Sequence, residues 1–127
     1  MKILISHAHI FQADGVVQEG NIAIEGDKIT AIGEVPASWK PDRTIDAKDK
    51  FAVPGFVNAH THASMTLLRS YADDMKLMDW LQQKIWPIEA KMRNEDVYWG
   101  AMLAAVEMIQ SGTTTFADMY GPDVEKV

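Results

Sequence analysis

The run Val53-Pro54-Gly55-Phe56-Val57-Asn58-Ala59-His60-Thr61-His62 constrains this chain more than any other stretch. From Phe51 to Ala59 it is mostly apolar, as expected of a parallel strand covered on both faces. It ends on two histidines spaced i, i+2. Side chains on a strand alternate faces, so residues two apart point the same way. His60 and His62 therefore read either as two ordinary strand-end histidines or as half of a divalent-metal site. Neutral imidazoles suit zinc, iron, nickel or copper. A catalytic zinc site takes about three protein ligands and an open position, so two histidines fall short.

Composition narrows the class. The 127 residues suffice for one ordinary domain with a hydrophobic core. A formal net charge of −6 argues against a general affinity for nucleic acid or an anionic membrane. The chain has no cysteine, which removes disulfides, thiolate ligands and a cysteine nucleophile together. No apolar run approaches the ~18 residues of a membrane span, and the N-terminus lacks a signal-peptide pattern. The expectation is a cytoplasmic protein with no membrane and no nucleic-acid partner. Neither a phosphate-binding glycine loop nor a serine-triad signature is present.

Residues 1–52 read as short strands and turns. Ile3-Leu4-Ile5 is a strand, Asn21–Glu25 and Lys28–Gly33 form a hairpin around Gly26-Asp27, and Thr44–Ala47 is one more strand. From residue 53 the pattern becomes strand, helices, strand. Apolar positions at helical spacing predict a helix over 75–86, ended or kinked by Pro87. Asn94 is the expected N-cap of the next helix, with Glu95 and Asp96 in its first turn. Val97, Ala101, Leu103, Ala104, Met108 and Ile109 predict a broad buried face. Ser111-Gly112 stops that helix. Thr113–Met119 reads as a second buried strand, and 123–127 as the first turn of another helix. Together these make one βαβ unit.

Several side chains admit two readings. His7 and His9 repeat the i, i+2 spacing, but sit in the β-rich half and read as surface or packing histidines. Glu89 reads as a solvated helix-end carboxylate or as an acceptor for substrate hydroxyls, and spacing alone favours the former. Asp118 is a ligand, an orienter of a metal-bound histidine or a strand-end cap. Arg69, Asp73 and Asp74 read as shaping a pocket entrance or as a solvated loop, the latter favoured. Trp80 is the tryptophan most suited to line a pocket; the other tryptophans and the methionines read as core.

Two further passages carry a resemblance. They are Trp80-Leu81-Gln82-Gln83-Lys84-Ile85-Trp86-Pro87-Ile88-Glu89 and Gly112-Thr113-Thr114-Thr115-Phe116-Ala117-Asp118-Met119-Tyr120. With the run from Ile45-Asp46-Ala47 to His62, the chain resembles the amidohydrolase superfamily. It is most similar to the subgroup of 5-methylthioadenosine/S-adenosylhomocysteine deaminases and chlorohydrolases. The resemblance implies an α/β fold: the start of a metal-dependent hydrolase TIM (β/α)8 barrel over 53–127, preceded over 1–52 by the N-terminal part of an accessory β-sandwich. It implies that His60 and His62 are metal ligands, that Glu89 grips the ribose hydroxyls of a nucleoside, and that Trp80 lines the same pocket. It further implies one divalent metal, zinc first, with iron and nickel as alternatives.

Family members are several hundred residues long. Their remaining metal histidine, metal aspartate and proton-shuttling glutamate lie on later barrel strands, so no catalytic residue proper is expected here. The chain thus reads as an N-terminal portion of a hydrolytic deaminase of adenine nucleosides, inactive by itself. The alternatives are a chlorohydrolase or deaminase acting on guanine, cytosine or a triazine, and a non-catalytic piece that forms a homo-oligomer or pairs with a complementing C-terminal chain.

Overall fold

The computed structural model describes residues 1–120; the helix turn expected over 123–127 lies outside the described residues. The chain divides into two compact units, Met1–Pro54 and Gly55–Val127.

The first unit is a five-stranded sheet. Strands β1 (Lys2–Phe11), β2 (Val17–Glu25), β3 (Lys28–Gly33) and β4 (Arg43–Asp46) lie in the order β3-β2-β1-β4, and the short β5 (Phe51–Ala52) also pairs with β1. β1 runs antiparallel to β2 but parallel to β4 and β5. It is longer than the expected Ile3-Leu4-Ile5 because a bulge interrupts it. Ile5 pairs with Ile22 and Ala8 with Gly20, and the extra residue shifts the inward parity. Ile5 before the bulge and Ala8 and Ile10 after it consequently face one core with Ile22 and Ala47. His7 is extruded at the bulge with φ 59°. It is exposed, and its Nδ1 lies 3.2 Å from Asp46 Oδ1. His9 packs its ring on Phe51, 5.4 Å between centroids. Both histidines are accounted for within this sheet.

The second unit is mixed α/β. Strands β6 (Phe56–Thr61) and β7 (Thr113–Asp118) are parallel and adjacent. Between them come a 3-10 turn (Ala63–Leu68), the helical run 77–89 and helix α3 (Asn94–Gln110). The expected single strand through Phe51 does not form. Phe51-Ala52 joins the first sheet, and β6 starts only at Phe56, where its N–H bonds Gly112 O at 2.9 Å. Nor are the two strands buried: Phe56, Val57 and Phe116 are all more than 40% exposed. Their apolar faces have too few covering elements among the described residues.

Pro87 does not end its helix. The run comprises α1 (Leu77–Trp80), a π-turn (Leu81–Ile85) and α2 (Trp86–Glu89). A mid-helix proline lacks an N–H, and its ring strikes the carbonyl four residues back. The preceding turn is widened, with Trp86 N–H bonding Leu81 O five residues earlier. That widening carries the helix past Pro87 as far as Glu89.

The start of α3 also differs from expectation. Arg93, not Asn94, is the N-cap, with φ −89° and ψ 162°. Asp96 reaches back to accept the Arg93 backbone N–H at 2.9 Å and its guanidinium at 3.1 and 3.2 Å. A carboxylate at N3 thus does the capping assigned to the asparagine. The guanidinium holds Asp96 below the usual carboxylate range. The buried face is narrower than predicted: Val97, Gly100 and Ala104 are buried, whereas Leu103 and Ile109 are exposed. Gly100 is the close-contact point. A Cβ there would stand 2.4 Å from Ser64 O, so only glycine lets α3 lie against the 3-10 turn. At the far end Gly112 takes φ +84° and stops the helix, as expected of a C′ glycine.

Candidate metal and substrate site

The site grows from the C-terminal ends of β6 and β7. Thr61 pairs with Asp118, and Met119 N–H bonds Thr61 O at 2.9 Å. His60 lies on β6, its backbone N–H held by Asn58 Oδ1 at 3.2 Å. His62 is the first residue beyond the strand and the N-cap of the 3-10 turn, with φ −126° and ψ 77°. The two imidazoles are neighbours, 5.0 Å between centroids, but cross at 85° instead of lying parallel. The end of the strand at Thr61 turns the second ring.

His62 Nδ1 is bonded to the Met119 carbonyl. A carbonyl only accepts, so Nδ1 carries the proton and Nε2 presents its lone pair. Backbone carbonyls commonly fix metal-binding histidines in this way. The donor set suits a divalent cation, but it is a pair. No group of three or more metal-ligating side chains occurs among the described residues.

Asp118, for which three roles stood open, has one visible contact. Its Oδ1 accepts the Ala63 N–H at 3.0 Å, tying the end of β7 to the first residue of the 3-10 turn. Behind that turn, Thr66 Oγ1 donates to Gly100 O at 2.7 Å. Arg69 makes a forked ion pair with Glu107, at 3.1 and 2.6 Å. It anchors loop to helix and, with Asp73 and Asp74, borders a hollow beside the site. Asp73 and Asp74 border a neighbouring hollow that shares Trp80 with the site.

A cavity of about 480 Å³ brings His62, Trp80 and Glu89 together, with Trp86, Met119 and Tyr120 also in its wall. His60 is not in that wall; it adjoins through the His62 ring. Glu89 is partly buried at the C-terminal end of the helical run. A carboxylate is disfavoured there by the helix dipole, and a residue that breaks a local rule is a signal of function. Trp80 Nε1 donates to Tyr71 O at 3.4 Å, presenting the indole to the cavity edge-fixed. The sequence reading missed Tyr120. Its phenol is pushed up to about 12, first by burial, then by the charge and hydrogen bonding of Glu89 and the charge of Asp118. Its hydroxyl donates to Met92 Sδ at 3.8 Å. Asp118 and Tyr120 repeat at the end of β7 the i, i+2 spacing that His60 and His62 have at the end of β6, and that repeat was the available signal.

Comparison with known proteins gives the family. The amidohydrolase family model matches residues 51–127. A 5-methylthioadenosine/S-adenosylhomocysteine deaminase from Pelotomaculum thermopropionicum is 60% identical over 110 residues, covering 84% of this chain and 25% of the relative. The protein of the same name from Moorella thermoacetica is 55% identical over 123 residues, covering 94% and 29%. Among solved structures, a zinc-bound adenosine deaminase from Xanthomonas campestris superposes with a TM-score of 0.81 at 40% identity, covering 93% of this chain and 28% of that one. A zinc complex of atrazine chlorohydrolase from Arthrobacter aurescens gives 0.80 at 26% identity, with coverages of 93% and 28%. The chain thus spans between a quarter and a third of the length of these proteins. No described helix is long and apolar enough to cross a membrane. Since the matched region takes in both strand-end histidines, the cavity's tryptophans, Glu89 and Tyr120, this chain belongs to the amidohydrolase family.

Proposed function

We propose that the chain is the N-terminal portion of a metal-dependent aminohydrolase that deaminates adenine nucleosides of the 5-methylthioadenosine and S-adenosylhomocysteine type. The observation that carries the reading is the convergence of His62, Trp80 and Glu89 on one cavity. In this reading residues 53–127 supply the first two β/α units of a TIM barrel and residues 1–52 part of a β-sandwich. The exposed apolar faces of β6 and β7 support it, because a barrel strand needs cover on both sides. The remaining ligands and the proton-transfer groups then come from later segments or from a complementing chain. The absence of cysteine accords with a cytoplasmic setting.

His60 and His62 would hold one divalent metal, with zinc favoured by the zinc-bound neighbours. When bound, such a metal supplies Lewis acidity towards water. The protein's own groups do the rest. Met119 O fixes the His62 tautomer. Glu89 accepts the two ribose hydroxyls, one on each carboxylate oxygen, and so orients the base. Trp80 and Trp86 give the nucleoside an apolar wall and exclude water. Deamination or dechlorination of another heterocycle (guanine, cytosine or a triazine) is the competing reading. Identity of 60% to a relative named as a nucleoside deaminase, against 26% to a chlorohydrolase, supports the nucleoside reading.

The test is a hybrid in which this chain replaces the matching segment of the Moorella thermoacetica relative. We expect it to release ammonia from adenosine and to hold about one metal per chain. His60→Ala and His62→Ala should each lower the metal content. Full metal content in the double variant would refute the assignment of the pair. The 127-residue chain alone should be inactive.

A further inference from the structure

We propose that Asp118 is a positioning residue for His62: its carboxylate holds the Ala63 N–H and, with the Met119 carbonyl on the ring, clamps the histidine between two consecutive residues at the end of β7. The inference rests on the metal reading of His60 and His62. β6 ends at Thr61, so His62 lies beyond the strand, with φ −126° and ψ 77°. The ladder bond from Met119 N–H to Thr61 O, at 2.9 Å, falls one residue short of it. His62 is the N-cap of the 3-10 turn, but its side chain makes no capping bond. The first N–H of the turn must then find another acceptor. It belongs to Ala63, which is only 2% exposed, so leaving it unpaired would be costly. Asp118 Oδ1 accepts it at 3.0 Å. The register makes this possible, because Asp118 pairs with Thr61 where β6 turns away. Two further bonds hold the histidine: His62 O accepts the Met65 N–H at 2.9 Å, and ring Nδ1 donates to Met119 O. The acceptors in those two are main-chain carbonyls, whereas Asp118 supplies its acceptor from a side chain that substitution can remove. A metal ligand has to be held within about 0.5 Å of its productive place, and groups that orient ligands are worth about 10–100-fold in metal affinity.

The test is the zinc affinity of the metal-stripped hybrid, measured by competition with a chromophoric chelator while circular dichroism reports the fold. Asp118→Ala should weaken zinc binding about tenfold, the low end for a group that acts through a ligand. Asp118→Asn keeps an acceptor for the Ala63 N–H and should bind zinc as the unsubstituted hybrid does. Asp118→Ala should add nothing once His62 is already alanine, because the ligand it positions is gone. A loss as large in Asp118→Asn as in Asp118→Ala would overturn the proposal, since the charge and not the hydrogen bond would then matter. An equal loss with and without His62 would also overturn it, because a cap that only stabilises the fold acts in that way. So would an unchanged affinity in Asp118→Ala alongside a loss in His62→Ala, an outcome that leaves the metal reading standing. Unchanged affinity in His62→Ala would instead overturn the metal reading itself, and this proposal with it.

Discussion

Gly100→Ala is the substitution that most directly probes how the site is held. The added methyl would meet Ser64 O at 2.4 Å and the Ser64 Cα and carbonyl carbon at 3.1 Å. All three are backbone atoms, so no rotamer change relieves the contact. Helix α3 must move away from the 3-10 turn, which stretches the bond of 2.7 Å from Thr66 Oγ1 to Gly100 O. Overpacking of this kind costs about 1–3 kcal/mol, and the strained hydrogen bond adds about 1 kcal/mol. Alanine's better helix propensity offsets about 1 kcal/mol. The expected net loss is about 2 kcal/mol, near the middle of these ranges. Urea unfolding followed by tryptophan fluorescence measures it, since Trp80, Trp86 and Trp99 all lie in the second unit. The turn begins at His62, so the displacement should also reduce metal content in the hybrid. A Gly100→Ala chain more stable than wild type by the propensity gain alone would refute the close approach.

Other outcomes follow from the same contacts. Ser64 is fully buried, and its hydroxyl has no partner among the described residues, so Ser64→Ala should stabilise the chain by about 1 kcal/mol in the same urea assay. Asp118→Ala frees the Ala63 N–H and should cost about 1 kcal/mol, in the manner of a lost cap, with thermal unfolding as the readout. The Arg69 guanidinium holds Glu107 below its ordinary 4.5. A carboxylate lowered on folding stabilises above its ordinary value and ceases to do so as the pH falls through the lowered one. The stability gap between wild type and Glu107→Gln should therefore be present at neutral pH and close on acidification below 4.5. High salt should narrow it too, because both side chains are exposed.

Local pattern made much of this molecule legible. The hairpin at Gly26-Asp27, the helix stop at Gly112 and the two parallel strands all follow from turn chemistry and β-branched runs. What escaped depends on tertiary contact. The bulge that extrudes His7 leaves no mark in a strand's alternation until the opposing register is known. The π-turn before Pro87 lets the helix absorb the proline, where the proline alone predicts an end or a kink. Asn94 is the stronger cap by type, but Asp96 together with Arg93 outcompetes it through three contacts. In the site, the histidine pair stood out because it ends an apolar strand beside Asn58 and Thr61, where α/β folds place their chemistry. Glu89 was recognisable only by resemblance, since His62, Met119 and Tyr120, which share its cavity wall, lie far away along the chain. Tyr120 was overlooked because an aromatic after an apolar strand reads as core.

The most direct measurement is the specificity of the hybrid for adenosine over 2′,3′-dideoxyadenosine, with Glu89 present and replaced by alanine. Hydrogen bonds to a charged carboxylate are worth about 1.5–3 kcal/mol. Glu89→Ala should therefore cut kcat/KM for adenosine by about ten- to a hundredfold and leave the dideoxy substrate untouched. An equal loss on both substrates, or none on either, would contradict the account.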